Sequence, residues 1–167
     1  LNIVVREERP ADAAAIGEVA RRAFRQEDEA RLVGALRAEG YGRLSLVATT
    51  GQQVIGHVLF SRIWIDRPQG RLDVVALAPL AVLPEFQGRG VGSALVGEGL
   101  ARCREQGERL VLVLGDPVYY ARFGFQVELA ARLDCPYAGP HFMGLELVPH
   151  SLPAGGCVVY SPPFERM

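Results

Sequence analysis

The stretch PEFQGRGVGSALV, Pro84 to Val96, follows directly on the apolar run VVALAPLAVL, Val74 to Leu83. Three glycines, Gly88, Gly90 and Gly92, alternate with other residues before an apolar helical pattern begins. At the start of a helix the backbone N–H groups lack partners and the positive end of the dipole converges, which makes a site for phosphate oxygens. Glycine lets a phosphate touch the backbone there, although the same spacing also serves a strand-to-helix corner with no ligand. A dinucleotide fingerprint needs glycine at the sixth position, but counting from Gly88 that residue is Ser93 and from Gly90 it is Leu95. A Walker loop needs a lysine, and the chain contains none: all 18 of its cationic side chains are arginine.

Working outward, Asn2 to Arg6 reads as a short strand. A helix follows from Pro10 through Phe24 and a second from about Asp28 to Ala38, with Gly40 as a stop. Leu44–Thr49 and Gln53–Ile65 read as a hairpin about Thr50–Gln52. The strand Leu72 to Leu83 contains Pro79, which cannot donate to a ladder and so predicts an edge or a bulge. Beyond the glycines, Val91 to Gln106 is helical, Arg109 to Leu114 a buried strand, and Tyr119 to Arg122 a short helix. From Phe125 onward short strands joined by loops are expected among the prolines. This order is mixed α/β without the regular alternation of a doubly wound parallel sheet.

Half of the 167 residues are apolar, which supports one well-buried core and a single domain over residues 1–167. Net charge is −1 and the charges are scattered, so no footprint for nucleic acid or an anionic membrane stands out. Without lysine, Schiff-base chemistry is excluded. Cys103, Cys135 and Cys157 have neither zinc-ligand nor disulfide-framework spacing, so no metal site is expected. No apolar run reaches the roughly 18 residues of a membrane helix, and the expected setting is cytoplasmic.

Gln87, Gly90 and Gly92, preceded by LAVLPEFQ, resemble the Gln/Arg-x-x-Gly-x-Gly/Ala signature of the GNAT superfamily of acyl-coenzyme A N-acyltransferases. Downstream, GDPVYYARFGF, Gly115 to Phe125, resembles the family's Tyr-x-x-x-Gly-Phe element and is closest to its YhbS-like branch. The resemblance implies a mostly antiparallel sheet of six or seven strands with a splayed central strand, flanked by helices. It implies acetyl-coenzyme A as cosubstrate, an amine-bearing small molecule or peptide as acceptor, and leaves a homodimer open. The coenzyme's pyrophosphate would meet the amides of Gly88, Arg89, Gly90, Val91, Gly92 and Ser93. Its pantetheine arm would pair with the free edge at Leu80, Ala81 and Val82. Asp116 stands where many members carry asparagine, and Tyr119 is assigned to lining the cleft.

Acyl transfer to an amine needs a neutral nucleophile, a stabilised oxyanion and a protonated leaving thiolate. Tyr120 is the tyrosine at the family spacing and the expected general acid. A backbone N–H around Leu80 to Val82 is the expected oxyanion donor. The general base is less constrained: Glu27 is the first choice, with Asp28, Glu85, His57 and His141 as further candidates. The alternative is a regulatory module that binds the coenzyme without transferring its acyl group; an acid retained at Tyr120 favours the enzyme.

Overall fold

A computed structural model describes residues 1–167. Its elements in chain order are β1 (Val4–Glu7), α1 (Ala13–Phe24), α2 (Asp28–Ala38), β2 (Gly42–Thr50), β3 (Gln53–Asp66), β4 (Leu72–Val82), α3 (Val91–Glu105), β5 (Leu110–Leu114), α4 (Pro117–Ala121), α5 (Val127–Ala130), β6 (Phe142–Glu146), β7 (Cys157–Val159) and α6 (Pro162–Glu165). Short 3-10 turns precede α1 and follow β4. The strands form one sheet in the order β1-β2-β3-β4-β5-β6, and β7 pairs with the part of β3 that outruns β2. All pairings are antiparallel except β4–β5.

Alternation along the strands sends side chains to both faces, and both are covered. On one face α3 lays Leu95, Val96, Leu100 and Cys103 on Leu46, Phe60 and Leu77. On the other, Ile16 of α1 and Leu32, Val33 and Leu36 of α2 cover Val47, Leu59 and Ile63. Gly99 weakens α3 as a helix, but a Cβ there would stand 2.4 Å from the Phe60 ring. The glycine therefore sets how closely α3 approaches β3. Beneath the end of α3, Arg62 of β3 holds Glu108 with two hydrogen bonds of 3.0 and 2.8 Å. Both side chains are largely buried, so removing Glu108 alone would leave the Arg62 charge uncompensated, whereas Glu108 also has Arg43 at 3.7 Å.

Two features of β4 create the site. Val58 pairs with Leu80 while Phe60 pairs with Leu77, so Ala78 and Pro79 together face Leu59 across a bulge. On its other side β4 pairs with β5 only through Val75–Val111 and Ala76–Leu112. Beyond Ala76 the two parallel strands part, and the rest of β4 has a neighbour on the β3 side alone. The bulge at Pro79 and the splayed strand both match expectation. The region after Phe125 differs: a helical turn, α5, precedes the next strand, and a second, α6, follows the last. Val127 and Ala130 pack that turn toward the sheet, and Pro162–Pro163 open the other, which proline suits in a first helical turn.

Candidate active site

After Gln87, whose N–H meets the Pro84 carbonyl, the next N–H to find a backbone carbonyl is that of Ala94, on Gly90 at 3.0 Å. The six amides from Gly88 to Ser93 are left as free donors at the head of α3. Gly88 and Gly90 turn the chain with φ of 74° and 85°, left-handed values that a side chain resists. A cavity of about 430 Å³ opens over these amides. Ser93 and Tyr119 line it, their hydroxyls 3.4 Å apart, and Arg122 donates to Ser93 Oγ at 3.1 Å. Arg122 also lies over the Tyr119 ring at 5.2 Å and is the one charged side chain in the lining.

The edge of β4 continues from this cavity. Leu83 donates to the Ile55 carbonyl at 2.9 Å. By the alternation of an antiparallel ladder, Ala81 then exchanges its bonds with His57, and the N–H and C=O groups of Leu80 and Val82 point to the side that β5 has left. Both groups of Leu80 and the N–H of Val82 therefore carry the free edge, and Ala81 is committed to the sheet. The Gln87 side chain donates to the Val82 carbonyl at 3.0 Å, so it braces the loop against the strand.

Leu80 also lines a second cavity, of about 340 Å³, between the parted ends of β4 and β5. Tyr120 projects into its wall, mostly buried, with its ring edge-on to Tyr119 and Phe125 at 5.0 and 5.7 Å. Its place is prepared from the strand side: a Cβ on Gly115 would stand 2.5 Å from the Tyr120 ring, so only glycine at the end of β5 admits the tyrosine. Asp116 caps α4, its carboxylate accepting from the Val118 N–H at 3.0 Å, and so fixes the turn that presents both tyrosines. Burial, with a smaller contribution from Tyr119, pushes the Tyr120 phenol up to about 12. A donor so placed keeps its proton throughout the neutral and mildly alkaline range.

The base candidates are dispersed. Glu27 is exposed at the start of α2 and bound to Arg21 at 2.9 Å; the carboxylate that lines the second cavity is Glu29, one residue beyond Asp28. Glu85 is held by Arg22 at 2.7 Å, and that hydrogen bond lowers its carboxyl below the usual range. His57 is buried within β3 on Ser45 Oγ at 2.8 Å, and burial, then the Arg37 charge, depresses it to about 3. His141 sits against the Gly115 carbonyl at 3.3 Å. Arg89, expected at the phosphates, lies over Phe86 at 5.8 Å, while Arg122 occupies the cavity lining.

Four residues that the sequence reading left without a role line the cleft: Arg122, Glu29, Tyr137 and Tyr160. Arg122 stands inside the GDPVYYARFGF motif, where an arginine near a loop expected to meet phosphate was a readable signal. Tyr137 and Tyr160 lie in the proline-rich end, where no periodicity marks them. No cluster of three or more His, Cys, Asp or Glu side chains comes together as a metal would require.

A parallel pair that splays at a bulge, followed by a helix that opens on six free amides, is the framework of an acyl-coenzyme A N-acyltransferase. The chain belongs to the acetyltransferase (GNAT) family, whose model matches residues 12–125. Over 138 residues it is 42% identical to the uncharacterized N-acetyltransferase YhbS of Escherichia coli strain K12, spanning 82% of this chain and 81% of that one. Among solved structures it is similar to the GNAT family N-acetyltransferase YhbS from Escherichia coli in complex with CoA, at 39% identity and a TM-score of 0.91, covering 100% of this chain and 94% of that one. It is likewise similar to a GNAT family acetyltransferase from Brucella melitensis in complex with acetyl-CoA, at 38% identity and a TM-score of 0.83, covering 98% of each.

Proposed function

We propose that the chain is one acetyltransferase domain over residues 1–167 that moves the acetyl group of acetyl-coenzyme A onto the primary amine of an acceptor by direct attack. The observation that carries this reading is the continuity of the cleft: free amides at Gly88 to Ser93, a free strand edge at Leu80 and the Val82 N–H, and a buried phenol at Tyr120, in that order. Relatives of similar fold that hold CoA and acetyl-CoA support it.

In this reading the loop amides and Arg122 bind the pyrophosphate. The Leu80 and Val82 edge aligns the pantetheine arm as an added strand would, and an amide of this edge faces the thioester oxygen where charge develops. The amine nitrogen attacks the thioester carbonyl carbon, the carbon–sulfur bond breaks, and the sulfur departs with the proton that Tyr120 holds. The amine's own proton leaves through water, with Glu29 the carboxylate nearest to receive it.

Replacing Tyr120 by Phe keeps the ring and removes the donor. The expected outcome is a fall in kcat of about 10²- to 10⁴-fold with the coenzyme Kd unchanged, while Tyr119→Phe stays near the parent. With the phenol held near 12, the parent should show no activity loss from this group below about pH 11. Full activity in Tyr120→Phe would remove the tyrosine from the chemistry. Coenzyme binding without thiol release from acetyl-coenzyme A, across a broad panel of amines, would favour a regulatory binding module.

A further inference from the structure

The second cavity differs in character from the first, and its composition bears on the acceptor. Fourteen of its sixteen lining residues are hydrophobic, and Glu29 carries the single charged side chain. Tyr137, Tyr160 and Phe164 form a row of edge-on rings, with centroids 5.3 and 5.2 Å apart. Tyr137 remains 42% exposed although it stands on this wall, and Phe24 of α1, also in the lining, is 37% exposed. Glu29 is steadied by Gln26, whose amide approaches both carboxylate oxygens at 3.0 and 3.2 Å.

Resting on the acetyl-transfer reading, we propose that the acceptor is a small monoamine with an aromatic or similarly bulky apolar body, its ammonium met by Glu29 and its body packed on Tyr137 and Tyr160. An amine arrives protonated, since its pKa is near ~10, and one carboxylate is what a single ammonium needs. A polyamine would bring further ammonium groups into a wall whose side chains include no second carboxylate, and each unpaired charge costs free energy when desolvated. An aromatic body gains from the rings already in place, which favour an edge-on or offset neighbour. The cavity lies at the small end of the range for ligand pockets, in keeping with a compact acceptor. A long acyl chain on the donor could use the apolar wall, but it would leave Glu29 facing hydrocarbon.

The test uses 2-phenylethylamine and spermidine as probes. Calorimetry on the protein saturated with CoA reads binding, and initial rates with acetyl-coenzyme A read transfer. The expected result is that 2-phenylethylamine binds and is acetylated with a kcat/KM at least tenfold above that of spermidine. Tyr137→Ala, a change at an exposed ring, should raise the KM for 2-phenylethylamine by about tenfold through lost ring contact and leave the coenzyme Kd unchanged. Glu29→Gln should weaken 2-phenylethylamine binding and leave its neutral analogue 2-phenylethanol unaffected. Transfer to spermidine in preference to 2-phenylethylamine would overturn the acceptor assignment and leave acetyl transfer standing. Binding of 2-phenylethylamine with no transfer to any amine would overturn acetyl transfer and the acceptor role with it, leaving the cavity as an amine-binding site alone. A preference for octanoyl- over acetyl-coenzyme A that Tyr137→Ala abolishes would give the wall to the donor's chain and overturn the proposal.

Discussion

At one end of the cleft the lining is main chain: six consecutive amides, two glycines at positive φ and one guanidinium, all within the short stretch from Gly88 to Ser93 and its neighbour Arg122. At the other end the lining is side chain, collected from α1, α2, β4, β5, α4 and the carboxy-terminal segment, with one carboxylate among the rings. The first end fits a ligand whose phosphates repeat from substrate to substrate, because backbone donors make no distinction beyond charge and shape. At the second end the rim residues Phe24, Glu29 and Tyr137, which lie outside the buried core, can change by single substitutions with little effect on the fold. On the proposed function, the contrast assigns coenzyme binding to the chain's geometry and acceptor choice to its side-chain chemistry.

The largest effect should follow damage to the backbone-built end. Gly90→Val places a β-branched residue at φ 85°, which costs on the order of 1–3 kcal/mol locally and turns the neighbouring amides away. The expected outcome is at least a tenfold rise in the CoA Kd by calorimetry, with a cooperative thermal transition retained. An unchanged Kd in the folded variant would mean that the phosphates sit elsewhere.

Arg122→Ala removes the one cation there and leaves the amides in place. Because the guanidinium is partly solvated, its loss should cost about 1 kcal/mol, a rise in Kd of about fivefold. That difference should shrink as salt is raised from 50 to 500 mM. A salt-independent loss would instead point to the stacking of Arg122 on Tyr119 as its main role.

A third region sharpens the comparison by standing outside the cleft. His57 is buried on Ser45 beside Arg37 and held near 3, so it is neutral in the folded chain. The unfolded chain takes up that proton near 6.5, so stability is complete above about 6.5 and declines as pH falls toward 3. At pH 5 the loss from this residue is about 2 kcal/mol, or about 4–8 °C in Tm. His57→Asn should lose less stability between pH 7.5 and 5 than the parent, with kcat at pH 7.5 unchanged. An equal loss in both chains would assign the acid sensitivity to other groups.

The same contrast explains how much could be read in advance. Gly88, Gly90 and Gly92 announced the loop because a backbone that must approach a ligand needs residues without a Cβ, and that requirement is local. Pro79 announced the bulge because its missing N–H must interrupt a ladder. Gly115 and Tyr120 belong together for a reason visible only in space, since the ring occupies the room a side chain at 115 would need. Tyr137, Tyr160 and Glu29 meet through tertiary packing of segments more than one hundred residues apart, and no spacing rule reaches across that distance. The short turns α5 and α6 were missed for a related cause. Four residues supply less than two turns of periodicity, too few to separate a helix from a strand.

The central claim is that coenzyme and acceptor are read by different parts of one cleft, backbone and side chain. The most direct measurement is a titration of the ¹⁵N-labelled chain followed by amide chemical shifts, first with CoA and then with 2-phenylethylamine. The account predicts that CoA moves the amides of Gly88 to Ser93 together with those of Leu80 and Val82, and moves Ala81 far less because its N–H is held by β3. The amine should then move the amides of Glu29, Tyr137 and Tyr160. Leu80 and Val82 unmoved by CoA, or the Gly88 to Ser93 amides responding to the amine alone, would contradict it.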